Sequence, residues 1–328
     1  MCQKDISVSV IMPVYNGAAY VKRGIQSVLG QTYKALELVI VNDGSKDNSK
    51  EIVGQIIREN PSETYRIKYI EQENQGIARA RNRGLAEASG VYVTFIDQDD
   101  WMDLDHIECL MRKAEETDAD EVIGGYRLVS EQGKVETEWN LDEDCEWSKY
   151  RITAPWSKLF KKEIIDKYHI DFLDTKISED LYFCILFMSN TNKVEIISNA
   201  GYNWLDNKMS ESRTKWNKVS EDRNPIVVLD ALQNRIKDTP HLRKDLLTYF
   251  FTKYLVWYLL YNARRSDKEK ISLMYKECFD WLDQNYPRYR EWKIAGIHVP
   301  KGELLRNRLC VTGGILLHRI GLFLPILS

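Results

Sequence analysis

The stretches SVSVIMPVYN at 7–16 and LELVIVNDGS at 36–45 decide the fold of this chain. Each begins with a short apolar, β-branched run (7–13 and 36–41), continues into polar turn-forming residues, and gives way to a helical pattern. The alternation continues outward. Further strands are expected at Ile67–Ile70, Val91–Ile96 and Glu121–Ile123, with helices over Tyr20–Leu29, Ser49–Glu59, Ile77–Glu87 and Ile107–Glu116. Such alternation over about the first 125 residues calls for a mostly parallel sheet with helices on both faces, a Rossmann-like α/β fold. Sheets of this kind bind ligands in the crevice beyond the carboxyl ends of their strands. Four polar clusters fall there: Tyr15 and Asn16 after the first strand, Asn42 and Asp43 after the second, Asn74 to Gly76 after the third, and Asp97 to Asp100 after the fourth.

Past about residue 140 the pattern changes to aromatic and charged residues with fewer clear strands, and this half is expected to cap the crevice. From about Val219 to Tyr289 the chain reads as helical, with Leu242, Leu246, Phe250, Tyr254, Trp257 and Tyr261 spaced mostly by four and three. A packed helical subdomain over 219–300, or a homodimer face, is the expectation. Residues 301–328 hold Lys301, Arg306, Arg308 and Arg319 against Glu303, a net +3, which leaves −6 on the remainder of a chain whose total is −3. Leu305, Leu309, Leu316, Ile320 and Phe323 share a rough apolar face there, interrupted by Gly313, Gly314 and Pro325. The segment is expected either to lie on an anionic membrane surface or to pack on protein.

A length of 328 residues accommodates one large catalytic domain and an appendage. With 44% hydrophobic and 29% charged residues the composition is that of a globular protein, and the net charge of −3 argues against a nucleic-acid binder. The six cysteines, Cys2, Cys109, Cys145, Cys184, Cys278 and Cys310, lie far apart and read as reduced, mostly buried thiols. Met1 to Asp5 lack the features of a signal peptide, and no apolar run is long enough for a membrane-spanning helix, so a cytoplasmic protein is expected.

The run Phe95-Ile96-Asp97-Gln98-Asp99-Asp100-Trp101 sets three carboxylates where a buried strand ends. Clustered carboxylates raise one another's pKa unless a cation sits among them, and a hard divalent ion, Mg²⁺ or Mn²⁺, is the natural occupant. The competing reading makes Asp100 or Asp103 a cap for the next helix. Asp43 is either an Asx-turn residue before Gly44 or an acceptor for a nucleobase edge. Pro13, Val14, Tyr15 and Asn16 form a turn whose backbone lines the same pocket. Glu179 and Asp180 follow Ser178, a plausible N-cap, at a helix start; they either serve the helix dipole or supply a general base. Neither glycine-rich phosphate loop is present, and the five histidines define no nucleophilic triad.

Taken together, these residues resemble glycosyltransferase family 2, inverting enzymes with a GT-A fold, especially those of bacterial surface polysaccharides. The resemblance runs from Val8 to about Ser212 and rests on PVYN at 13–16, VNDGS at 41–45, NQGIARARNRGL at 74–85, DQDDW at 97–101, WSKLF at 156–160 and SEDLYF at 178–183. It implies a GT-A domain over 1–218, with a donor half to about 125 and an acceptor half beyond. It further implies a nucleotide-sugar donor, a UDP-sugar, and a glycan or lipid-linked oligosaccharide acceptor. By the resemblance Asp43 reads the uracil, Asp97 meets the ribose, Asp99 ligates Mn²⁺ or Mg²⁺, and Asp180 is the base with Glu179 beside it. Asn74, Gly76, Arg81 and Gln98 fall near the donor, and Trp156 and Lys158 near the sugar and acceptor. The chain departs from the family at Tyr202-Asn203-Trp204-Leu205, before Ser210 and Ser212, where many relatives carry an arginine, leaving Arg213 or Lys208 as substitutes for a diphosphate clamp. A nucleotide-sugar-forming nucleotidyltransferase and a silent partner of another transferase are the competing functions.

Overall fold

A computed structural model describes residues 7–61, 66–208, 218–236, 239, 241–263 and 266–327. Cys2, Ser210, Ser212 and Arg213, named above, lie outside the described residues. The chain divides into two compact units. The first comprises 1–143, 153–174 and 183–207, and the second 144–152, 175–182 and 208–328.

The first unit holds a seven-stranded mixed sheet built as the apolar runs dictate. β1 (Val8–Val14), β2 (Leu36–Asp43), β3 (Arg66–Gln72) and β4 (Tyr92–Phe95) are parallel, in the order β4-β1-β2-β3. β1 is buried along its whole length, as a strand covered on both faces must be, whereas β3 is half-exposed at the sheet edge. The helices α1 (Val21–Leu29), α2 (Ser49–Glu59), α3 (Ile77–Glu87) and α4 (His106–Thr117) fall where the periodicity placed them. Beyond β4 the sheet continues through β9 (Lys158–Lys161), which is antiparallel to its neighbours, to β6 (Glu121–Ile123) and the parallel β10 (Val194–Ile196). A second sheet of four strands has the order β5 (Trp101–Met102), β11 (Tyr202–Leu205), β7 (Tyr126–Val129), β8 (Val135–Trp139). The short helix α5 (Lys162–Tyr168) follows β9.

Helix α6 (Glu179–Ser189) is divided in sequence between the units, its residues to Tyr182 belonging to the second. Phe183 and Phe187 belong to the first, where Phe183 stacks on Phe172 at 4.2 Å and meets Phe95 and Phe160 edge-on. Such aromatic pairs contribute about 0.5–1.5 kcal/mol each beyond area burial.

The second unit is helical: α7 (Pro225–Ile236), α8 (Lys244–Ala263), α9 (Lys268–Asn285), α10 (Trp292–Ala295), α11 (Leu305–Arg319) and α12 (Phe323–Leu327). α8 packs against α9, α10, α11 and α12. The segment read as a tail is therefore two helices, with Val311, Ile315, Phe323 and Leu327 buried. Phe323 faces inward, contrary to the expected apolar face. Gly313 and Gly314 do not interrupt α11; a Cβ on Gly314 would stand 3.1 Å from Val256, so the glycine lets α11 approach α8 closely. His318 stacks on Phe279 at 3.7 Å, and its two ring nitrogens meet the hydroxyls of Tyr275 (2.6 Å) and Tyr289 (3.2 Å). Among the described residues no helix is long and apolar enough to cross a membrane. Of the five described cysteines, all free, only Cys184 and Cys278 are buried, and Cys109, Cys145 and Cys310 are half-buried.

Candidate active site

The loops at the carboxyl ends of β1, β2 and β4 are stitched into one surface of the first unit. Asn16, in the left-handed region at φ 49°, donates its N–H to the Ser45 hydroxyl at 3.0 Å and accepts the Lys46 N–H on its side chain at 2.8 Å. Gln98 engages both backbone groups of Tyr15, accepting its N–H at 2.8 Å and donating to its carbonyl at 3.0 Å. Pro13 and Val14, expected within a turn, are instead the last residues of β1, paired with Val41 and Asn42 of β2, and Tyr15 just after them is fixed to the DQDD run. Gly17 lies so close to the Gln98 side chain that a Cβ would collide with it.

Asp43 ends β2 and is buried. Its Oδ1 accepts from Gln72 Nε2 at 2.7 Å and from the Gln75 N–H at 2.9 Å, and its Oδ2 accepts the Gly76 N–H at 2.8 Å. The simple Asx turn within 43–45 is not what forms: Asp43 organises the loop from β3 to α3, while Asn42 accepts the Ser45 N–H at 3.1 Å. Gly44 (φ +70°) is required twice over, by its backbone and because a Cβ would stand 2.7 Å from the Asn74 nitrogen. A carboxylate oxygen carries two acceptor positions, so the Gly76 bond alone leaves Oδ2 able to accept a further donor.

Three acids follow β4, each in different surroundings. Asp97 is half-exposed and paired at 2.8 Å with the buried guanidinium of Arg81, which also sits 5.3 Å over the Phe172 ring. Asp99 accepts from Asn207 Nδ2 at 3.0 Å, and its carbonyl takes a bond from Arg23 at 2.8 Å. Burial, reinforced by the charge of Asp97, pushes the Asp99 carboxyl above its usual pKa. Asp100 is fully buried and accepts from the Tyr202 hydroxyl at 2.7 Å and the Leu205 N–H at 2.8 Å. Burial, then the charges of Asp99 and Asp97, push it well above the usual carboxylate range. The expectation that Asp100 or Asp103 caps the following helix gives way to a different arrangement. Asp100 clamps β11, and Asp103 accepts from Arg127 at 2.6 Å and Asn203 at 2.8 Å.

Among the described residues no three His, Cys, Asp or Glu side chains gather as a metal-binding group. The chemistry of Asp99 fits a hard divalent ion: it is a half-exposed carboxylate next to Asp97, and such ions take one or two protein carboxylates and complete their shell with water and phosphate oxygens.

Trp156 is buried, parallel to Tyr202 at 4.6 Å and 5.0 Å from Tyr126. The serine beside it, Ser157, is left-handed at φ 56°. Lys158 opens β9 with its side chain buried, 3.4 Å from Glu121. Burial opposes its charge, but Cys184 and Glu121 hold its pKa above the ordinary lysine value.

In the second unit, Glu179 and Asp180 are half-exposed in the first turn of α6. Ser178 precedes them at φ 60°, and its carbonyl accepts the Tyr182 N–H at 3.0 Å. Its hydroxyl, expected to serve as an N-cap, instead meets the Tyr254 hydroxyl at 2.5 Å. A left-handed non-glycine residue is uncommon, and three of the motifs contain one.

Sequence reasoning missed Arg23, whose guanidinium lies 3.7 Å over the Trp101 ring as well as on Asp99, and the clamping roles of Tyr202 and Asn207. Only Tyr202 carried a signal, as part of the segment where the chain departs from its resembled family.

A mostly parallel sheet with acids at the carboxyl ends of β2 and β4 defines a GT-A-type α/β protein. The fold likeness is direct: Staphylococcus aureus TarS 1–349, solved in complex with UDP-GlcNAc, superposes with a TM-score of 0.72 at 18% identity over 96% of this chain and 92% of that one. The chain belongs to glycosyl transferase family 2, whose family model matches residues 9–180. It is 34% identical over 250 residues to the glycosyltransferase GlyA of Streptococcus pneumoniae serotype 4, covering 71% of this chain and 34% of GlyA. It is 26% identical to the poly(ribitol-phosphate) β-N-acetylglucosaminyltransferase TarP of S. aureus N315, covering 84% of this chain and 86% of TarP. The chain thus spans about a third of the length of GlyA.

Proposed function

We propose that this protein transfers a sugar, with inversion, from a UDP-sugar to a hydroxyl of a glycan or lipid-linked oligosaccharide in surface-polysaccharide synthesis. The observation that carries the reading is the division of labour among the strand-end acids: Asp43 bound by the 72–76 loop, Asp97 paired with Arg81, and Asp99 half-exposed and held by Asn207. Family membership and the UDP-GlcNAc complex of the TarS fold-mate support the choice of donor.

In this reading Asp43 Oδ2 accepts the N–H of the uracil edge. Asp97, oriented by Arg81, accepts from the ribose hydroxyls. Asp99 holds Mn²⁺ or Mg²⁺, which when bound supplies the Lewis-acid stabilisation of charge on the departing diphosphate. Asp180 takes the proton from the acceptor hydroxyl, and Glu179 fixes the acceptor beside it. Attack on the sugar face opposite the leaving group inverts the anomeric centre without a covalent sugar–enzyme intermediate. The reaction is set in the cytoplasm, where nucleotide-sugars serve as donors.

A panel of UDP-sugars assayed for UDP release, with Mn²⁺ or Mg²⁺ and with chelator, tests this. One donor is expected to give metal-dependent UDP release, and Asp99→Ala to lower it by about 10²-fold or more. Release of pyrophosphate, or release indifferent to both chelator and Asp99→Ala, overturns the reading.

A further inference from the structure

Helix α11 presents an apolar face that the second unit leaves uncovered. Leu305, Leu309, Leu316 and Ile320 are 40–64% exposed, although Val311 and Ile315 on other sides of the helix are buried against the unit's core; Thr312, between Leu309 and Leu316, is covered where its hydroxyl donates to the Ala295 carbonyl at 3.1 Å. At about 100° per residue the spacings of four, seven and four place the exposed leucines and isoleucine on one line along the helix. The exposed Arg306 flanks that line on one side and the exposed Arg319 on the other, while Arg308 is half-buried toward the unit. The indole of Trp292 is also exposed, and Trp292, Leu316 and Arg319 border one shallow cleft. Leu322 and Ile326 continue the exposed apolar surface beyond α11.

The charge around this face is predominantly basic. Residues 286–328 contain seven Lys and Arg against two Glu, a net +5 that leaves −8 on the rest of the chain. Both glutamates are engaged locally: Glu303 is buried at 2.5 Å from Lys253, and Glu291 pairs with Arg288 at 3.0 Å and Lys293 at 3.2 Å. An apolar strip edged by arginines, with an exposed tryptophan at its border, matches what an anionic bilayer offers. Acyl chains take the leucines, lipid phosphates take the guanidinium groups, and the indole sits at the headgroup level.

The geometry points to the α11 face as a docking surface for an anionic lipid bilayer, which holds the protein at the membrane where lipid-linked acceptors are found. Binding to a bilayer requires no turnover, so its failure and failure of the proposed reaction are separately visible.

The test is co-sedimentation of the full chain with phosphatidylglycerol–phosphatidylcholine vesicles and with pure phosphatidylcholine vesicles. Wild type is expected to bind the anionic vesicles preferentially and to be released by salt. Leu309→Glu with Ile320→Glu, both at well-exposed positions, is expected to weaken that binding by about tenfold or more. Arg306→Gln with Arg319→Gln is expected to do the same through charge, with donor-dependent UDP release unchanged in both. Wild type remaining in solution with anionic vesicles overturns the proposal, as does either double variant binding like wild type. A concentration-dependent dimer that Leu309→Glu with Ile320→Glu dissolves, in a protein that ignores vesicles, assigns the face to a second copy and also overturns it.

Discussion

Asp97, Asp99 and Asp100 share one turn, and the structure gives each a different environment: an arginine partner, an amide partner in Asn207, and a fully buried clamp. Adjacent carboxylates can hold such distinct roles because burial and hydrogen bonding, not residue type, set their proton affinity. Sequence made the cluster legible as charge at a strand end. It did not separate the three, since the clamp depends on Tyr202 and Leu205 about a hundred positions away. Lys158 shows the same limit: its motif is local, but its buried ion pair is made with Glu121, 37 positions earlier in the chain. The same question of direction decides between Glu179 and Asp180, which sit about 100° apart on α6 and cannot share one role. Asp180→Asn is expected to keep UDP-sugar binding and to lower transfer by about 10²- to 10⁴-fold, with Glu179→Gln losing less. Steady-state kinetics beside equilibrium UDP binding checks this. Near wild-type transfer by Asp180→Asn with an inactive Glu179→Gln reassigns the base.

At the scale of elements, β1, β2 and the four helices α1 to α4 were legible to within a residue or two, because buried parallel strands and amphipathic helices announce themselves by local pattern. The strands β5, β7, β8, β9, β10 and β11 were not, being two to five residues long and defined by partners far away in sequence. Strand β2 also carries a feature its apolar pattern hid. Glu37 is fully buried and accepts from the hydroxyls of Ser9 (2.7 Å) and Ser89 (2.8 Å) and from the Ser89 N–H (2.6 Å), with Lys68 at 3.3 Å. Burial alone pushes the carboxyl pKa up, but these bonds and Lys68 outweigh it and hold it below the usual glutamate value. A depressed folded-state pKa means stability that is present above the unfolded-state value and is lost as pH falls through the folded-state one. Glu37→Gln is therefore expected to cost about 1–3 kcal/mol near neutral pH and to flatten the fall in stability on acidification below the usual glutamate value. Denaturant melts at a series of pH values measure it; an unchanged acid slope with unchanged neutral stability contradicts the assignment.

For the molecule as a whole, the expected boundary near residue 218 and the observed division differ in kind. The second unit begins at 208 and also takes 144–152 and 175–182, so the SED motif sits in a different unit from the strand-end acids. No composition shift marks those two short excursions, because which unit a segment joins is decided by its non-local packing. The basic C-terminal stretch, by contrast, was legible beneath the total charge of −3; which of its apolar residues stay exposed was not, since Phe323 turns inward while Leu305, Leu309, Leu316 and Ile320 remain exposed. In the proposed function the strand ends of the first unit hold a uridine diphosphate group. Calorimetric titration of UDP with Mn²⁺ into wild type and Asp43→Ala, with circular dichroism to confirm folding, tests it most directly. Saturable binding by wild type, weakened by about tenfold or more in Asp43→Ala, is the predicted result. Failure of the wild type to bind UDP, or equal binding by the folded variant, contradicts it.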